Sequence, residues 1–108
     1  VLPYRVKLNA RHDLPSRFAT LAHELGHVYC GHVGPDRKGR WPDRRSLPTA
    51  LCEAEAEAVA WLVCQRNGVQ ARSREYLSSL IAQVDVQEVN MYAIFEAANR
   101  VESRTPAA

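Results

Sequence analysis

The feature that most constrains this chain is a pair of histidines, His23 and His27, inside a segment with helical periodicity. Between residues 17 and 30 apolar side chains recur at helical spacing, at Phe18, Leu21, Ala22, Leu25, Val28 and Tyr29, which predicts an amphipathic helix. Residues four apart on a helix lie one turn apart on the same face. Both imidazoles can therefore bind one metal ion.

Glu24 gives this pair a chemical meaning beyond metal binding. It lies about 100° around the helix from His23, which places it beside a shared metal, where a general base is needed. The pattern His-Glu-x-x-His is typical of zinc peptidases, and chance would produce it in roughly one chain in a hundred of this length. The alternative, two histidines on an ordinary amphipathic helix, leaves Glu24 unexplained.

A catalytic zinc site usually has three protein ligands and one open position. A third histidine in the pattern H-E-x-x-H-x-x-G-x-x-H does not fit, because Cys30 and Val33 occupy the glycine and histidine positions. His32 is out of phase with that pattern. We expect His32 to bond the carbonyls at the helix end or to face the substrate.

Three glutamates on a second predicted helix offer the missing ligand. Glu53 and Glu57 lie one turn apart on one face, whereas Glu55 points about 200° away from Glu53 and should not reach the same site. We assign Glu53 as the third ligand and Glu57 as the carboxylate that accepts a hydrogen bond from a ligand histidine. The exchanged assignment stays open. A merely exposed acidic helix is disfavoured by a predicted buried stripe of Ala54, Ala58, Trp61 and Leu62.

The whole chain predicts one α+β domain over residues 1–108, mostly helical, with about four helices and a small N-terminal strand. Tyr4–Asn9 alternates as a strand does. Pro15 and Ser16 favour the start of the first helix, and Gly31 favours its end. A second helix is predicted over 50–66, with Thr49 as its cap and Asn67-Gly68 at its end. A third is predicted over 73–84 with Ser73 as its cap, and a fourth over 85–102 with a capping box of Asp85 and Glu88. Because one strand cannot stand alone, either the loop 31–48 pairs with it or the chain is a piece of a longer protein.

Composition excludes some classes of function. The net charge of +2 is too small to indicate a nucleic-acid partner by itself. We interpret the basic loop 34–48 first as a solvated surface loop; the alternatives are that it steers an acidic substrate segment or binds single-stranded DNA. That loop carries Trp41 and the basic residues Arg37, Lys38, Arg40, Arg44 and Arg45. No apolar run approaches the roughly 20 residues that cross a bilayer. The odd cysteine count indicates free, buried thiols, so we expect a cytoplasmic location and no membrane contact.

Two stretches of the chain resemble a known family. Arg17-Phe-Ala-Thr-Leu-Ala-His-Glu-Leu-Gly-His27, followed by Glu53-x-Glu55-Ala56-x-x-x-Ala60, resembles the ImmA/IrrE family of bacterial metallopeptidases. The same residues resemble the related peptidase domain of ArdC-type antirestriction proteins. The resemblance covers about residues 4–66, including the predicted strand ahead of the motif helix.

This resemblance implies a zincin-like fold with a gluzincin-like site. In such a site His23, His27 and Glu53 would bind Zn²⁺, Glu24 would be the catalytic base and Glu57 would orient a ligand. The resemblance also implies a protein substrate, a transcriptional repressor or a stress or phage regulator, whose peptide bond is hydrolysed.

Two aspects of the function stay open at this stage. The donor that stabilises the oxyanion is not chosen by spacing among Tyr76, His32, Tyr29 and Tyr92. The alternative to an enzyme is a non-catalytic zinc module that binds a regulator protein or single-stranded DNA. The intact Glu24 argues against that alternative, because a structural metal site has no need of a base.

Overall fold

The computed structural model describes residues 11, 13–70 and 73–104, which form four α-helices. These helices are α1 (Leu14–Tyr29), α2 (Thr49–Arg66), α3 (Ser73–Ile81) and α4 (Met91–Arg104). The prediction of a mostly helical domain with about four helices is confirmed, and this described part contains no strand. The predicted strand Tyr4–Asn9 lies outside the described residues.

Local signals define both ends of α1. The Asp13 side chain caps its start by accepting a hydrogen bond from the Ser16 N–H at 2.9 Å. After the helix, Gly31 has φ 82°, a backbone conformation that glycine adopts readily. A Cβ at Gly31 would overlap the carbonyl oxygen of Pro42. The loop 31–48 therefore folds back onto the end of α1.

The central helix of the fold is α2, which is buried on most of its circumference. Its buried residues are Leu51, Ala54, Glu55, Ala56, Glu57, Val59, Ala60, Val63 and Cys64. Of the predicted stripe only Ala54 is buried, and Ala58, Trp61 and Leu62 are half buried. A Cβ at Gly26 of α1 would lie 3.1 Å from Val59 Cβ and 3.2 Å from the Ala56 oxygen. This close approach brings the histidines of α1 opposite the glutamates of α2.

The start of the last helix differs from the prediction. Asp85 caps only a single 3-10 turn, Val86–Glu88. α4 begins at Met91, where Asn90 Oδ1 accepts a hydrogen bond from the Ala93 N–H at 3.0 Å. The predicted helix from Asp85 is wrong because Asn90, three residues before Ala93, supplies a second cap.

Two other predicted helix ends are also wrong. Thr49 is the first residue of α2 and not its cap, because Pro48 occupies the cap position and makes no side-chain hydrogen bond. α3 ends at Ile81 instead of Val84. The Gln83 N–H bonds to the Leu80 oxygen at 3.0 Å, which tightens the chain into a turn and stops the helix.

The hydrophobic core joins α1, α2 and α4 with Trp41 of the loop. Its members include Leu25, Val28, Val59, Val63, Ile94, Ala97 and Val101. Tyr29 and Trp41 meet edge to face with their ring centroids 5.2 Å apart. The prediction of free thiols is confirmed, with Cys30 and Cys64 buried and Cys52 half buried. Over the described residues, no helix combines the length and apolar character needed to span a bilayer.

Candidate metal centre

The structure brings three side chains of the predicted zinc site together, His23 and His27 from α1 and Glu53 from α2. His23 Nε2 lies 3.1 Å from Glu53 Oε2 and His27 Nε2 lies 3.2 Å from Glu53 Oε1. The two Nε2 atoms are 3.2 Å apart. Each residue thus offers a ligand atom within 4.8 Å of the other two. Two imidazole nitrogens and a carboxylate are a donor set that zinc prefers.

Glu57 contacts the other nitrogen of His23. Its Oε2 lies 2.6 Å from His23 Nδ1, one turn along α2 from Glu53, and its side chain is only 11% exposed. Burial lowers the pKa of His23, but the hydrogen bond with Glu57 and the charges of Glu57, Glu53 and Glu24 outweigh it and raise the pKa overall. The Glu57 carboxylate can therefore hold a proton on Nδ1, which leaves Nε2 free to face Glu53.

His32 contacts the other nitrogen of His27, with the two Nδ1 atoms 2.9 Å apart. Burial and the neighbouring His23 lower the pKa of His27. The His32 side chain is 3% exposed, while its backbone N–H donates to the His27 oxygen at the end of α1 at 2.9 Å. His32 therefore lies at the helix end, as expected, but bonds a terminal carbonyl through its backbone and not through its side chain. It lies on the Nδ1 side of His27, because the turn at Gly31 directs the chain back under α1.

Glu55 is the residue whose surroundings the sequence did not predict. It is fully buried, and its Oε1 lies 2.8 Å from His32 Nε2. Arg44 donates to both of its oxygens, at 2.7 Å each, and the Asn90 N–H donates to Oε2 at 3.0 Å. Burial alone would raise the pKa of Glu55, but the hydrogen bonds from His32, Arg44 and Asn90 lower it to about 2.

Cys30, His32 and Glu55 form a second group with metal-ligating atoms close together. Its chemistry argues against a second metal. Each oxygen of Glu55 already accepts two hydrogen bonds. Burial and the nearby Glu55 charge raise the pKa of the Cys30 thiol to about 12, so without a metal Cys30 is a neutral thiol near neutral pH.

Glu24 is exposed on α1 beside the metal-ligating face. Its negative charge favours the protonated form of both rings, as expected for a nearby carboxylate, although burial and His23 outweigh it at His27, whose pKa is lowered. Its exposure leaves the carboxylate accessible to solvent, as a general base needs.

The tyrosines considered as oxyanion donors are placed differently from one another. Tyr76 on α3 is 60% exposed and Tyr92 on α4 is 75% exposed. Tyr29 is buried in the core, and its hydroxyl has no hydrogen-bond partner among the described residues. These exposures do not select one of the three as the oxyanion donor.

The basic loop is largely neutralised by its own ion pairs. Arg40 pairs with Asp36, and Arg45 pairs with Asp43. Arg44 is turned inward to Glu55 and also donates to the Cys30 oxygen at 2.9 Å. Arg44 and Asn90 are the residues of this region that sequence reasoning missed. The sequence signal for the Arg44–Glu55 ion pair was limited to an arginine in the loop that follows Gly31.

A comparison with protein-family models identifies a family for this chain. The model of the IrrE N-terminal-like domain, a peptidase family, matches residues 2–76. The matched range is more than half of the chain and contains the histidines of α1 and the glutamates of α2. Neither the curated proteins nor the solved structures compared with this chain give a match.

Proposed function

The chain belongs to the IrrE N-terminal-like domain family, and from that premise we propose that it is a zinc-dependent peptidase whose metal is held by His23, His27 and Glu53. The family makes it a metallopeptidase-like domain. The observation that carries the finer proposal is the convergence of the two Nε2 atoms and the Glu53 carboxylate, at 3.1–3.2 Å from one another.

The donor set suits a catalytic zinc better than a structural one. Three protein ligands leave a fourth position open, as catalytic sites require, whereas structural sites are closed by four. The Glu53 side chain is 41% exposed, so the open side of the cluster reaches solvent. The Nδ1 atoms of both histidines already have partners, which supports Nε2 as the ligating atom in each ring.

A bound zinc ion would supply Lewis-acid chemistry, polarising the scissile carbonyl and making water acidic enough to lose a proton near neutral pH. Glu24 accepts that proton and passes it to the nitrogen of the leaving amine. Glu57 holds the Nδ1 proton of His23, which keeps that imidazole oriented with Nε2 toward Glu53. Exposure of Glu24 and burial of Glu57 fit these two separate tasks.

The proposed substrate is a protein, specifically a transcriptional repressor or a stress or phage regulator, as the family resemblance implies. The alternative of a non-catalytic module for single-stranded DNA loses support. Three of the five basic side chains in the loop are paired with carboxylates, and paired surface charges attract phosphates weakly. Glu24 also has no task in a module that does not turn over.

Metal analysis and one substitution test the proposal. The purified chain should hold one zinc ion, and Glu24→Gln should keep that zinc while cleavage of a co-encoded repressor falls by about 10²–10⁴-fold. Glu75→Gln, the same chemical change on α3, serves as the matched control and should cleave as the wild type does. A chelator should abolish the fragments.

The outcomes separate the competing functions. A chain without zinc, and without a gain in stability when zinc is added, contradicts the metal site. Cleavage retained by Glu24→Gln shows that another group is the base. A stable complex with the repressor that never yields fragments favours the binding module.

A further inference from the structure

The hydrogens around Glu55 can be assigned from the donors that surround it. The Arg44 guanidinium and the Asn90 N–H are donors only, and together they fill three of the four short contacts of the Glu55 carboxylate. Such surroundings require an ionised carboxylate that accepts every bond. The fourth contact, His32 Nε2 at 2.8 Å, must therefore carry a hydrogen and donate it.

This assignment propagates through His32 to His27. A neutral imidazole that donates through Nε2 accepts through Nδ1. His32 Nδ1 lies 2.9 Å from His27 Nδ1, so the hydrogen in that contact belongs to His27. The other nitrogen of His27, Nε2, is then bare, and its lone pair faces Glu53 and His23.

The reverse polarity would disable the ring as a ligand. If His32 donated through Nδ1, His27 Nδ1 would have to accept, and the hydrogen of neutral His27 would sit on Nε2, where the metal must bind. The polarity set by Glu55 and a neutral His32 is the one that leaves His27 Nε2 free.

We propose that His32 is a positioning residue that fixes the tautomer and the ring orientation of His27, and that Glu55, held by Arg44 and the Asn90 backbone, orients His32. This inference rests on the proposed function, because the free Nε2 matters only if the site binds a metal. The chain His27–His32–Glu55 serves one ligand as Glu57 serves the other.

The two supports differ in construction. His23 contacts the carboxylate of Glu57 directly. His27 contacts the neutral ring of His32, and it is this ring that contacts a carboxylate, that of Glu55, whose charge is balanced by Arg44. The second support also crosses the fold. It joins α1, the loop 31–48, α2 and the start of α4, so the position of a ligand on α1 depends on the closure of that loop.

Zinc affinity and the tautomer of His27 test the inference in the 108-residue chain. His32→Leu removes the acceptor and should weaken zinc binding by about 10–100-fold, measured by competition with a chromophoric chelator. His32→Asn, whose Oδ1 can occupy the position of Nδ1, should recover most of that affinity. In the metal-free wild type, ¹⁵N chemical shifts should show a protonated Nδ1 and a bare Nε2 in His27.

Loss of packing alone cannot produce this pattern, because selective rescue by Asn and the tautomer of His27 both report on the hydrogen bond. Equal zinc affinity of His32→Leu and the wild type overturns the positioning role while the proposed function stands. A wild type that binds no zinc overturns both. If His32→Leu fails to fold, the wild-type ¹⁵N spectrum decides, and a bare Nδ1 in His27 refutes the inference.

Discussion

The two glutamate-bearing faces of α2 make the most instructive comparison in this molecule. Glu53 and Glu55 are two residues apart, yet Glu53 is 41% exposed at its side chain and faces two histidines, while Glu55 is 0% exposed and faces Arg44. The first carboxylate lies among groups that can share a cation. The second is already neutralised by one. The same residue type therefore prepares a metal site on one face and holds the fold together on the other.

Removing Glu55 should have the largest effect on stability of any change on these two faces. Glu55→Ala leaves the Arg44 guanidinium, 12% exposed at its side chain, without a counter-charge and the Asn90 N–H without an acceptor. We expect the free energy of unfolding of the metal-free protein to fall by about 3–5 kcal/mol, measured by urea denaturation.

Glu53→Ala is the matched control on the same helix. Its free energy of unfolding should stay within about 0.5 kcal/mol of the wild type, as is usual for exposed positions. A loss of similar size in both variants would show that the two faces do not differ in the way their burial indicates.

For zinc affinity, unlike stability, Glu53 should be the most important of these glutamates. Glu53→Ala removes a proposed ligand and should lower the affinity by more than the roughly 10–100-fold expected for Glu57→Ala, which removes only the partner of His23 Nδ1. Competition with a chromophoric chelator measures both variants. The opposite order would exchange the roles of Glu53 and Glu57.

The contact between α1 and α2 offers a graded test of how the metal-site face is assembled. Gly26→Val places a branched side chain where even a Cβ lies 3.1 Å from Val59 Cβ. We expect a loss of about 1–3 kcal/mol in the free energy of unfolding and weaker zinc binding, because α1 must move away from Glu53.

Gly26→Ala is the smaller step in the same series. A single methyl group requires neighbouring atoms to shift by only a few tenths of an ångström. Alanine also stabilises a helix by about 1 kcal/mol relative to glycine. Its net effect should therefore be smaller than that of valine. Equal stability of the valine variant and the wild type would mean that this contact does not set the spacing.

Much of the first face was predictable because it depends on local geometry. Helical spacing predicted that His23 and His27 share a face, that Glu53 and Glu57 share another, and that Glu55 does not join them. The structure has all five side chains disposed in that way. Family membership, predicted from the same residues, is confirmed by the match over residues 2–76.

Other features of the fold were missed because competing local signals look alike in sequence. Asp85 and Asn90 are both good helix caps, and only the structure shows that Asn90 starts α4. The contacts of the His32 side chain with His27 and Glu55 were missed, because nothing near His32 in sequence shows that Gly31 turns the chain inward. Trp41 looked like a loop residue and lies in the core.

The sequence by itself determined which residues share a helix face, because a rise and rotation per residue are fixed by the backbone. Only the tertiary structure decided what each face meets. Arg44, His32 and Asn90 reach Glu55 from 11, 23 and 35 residues away, and such contacts form only when loops close and helices pack. The shared face of His23 and His27 is therefore predictable from the sequence, whereas the contacts of His27 with His32, and of His32 with Glu55, are seen only in the folded molecule.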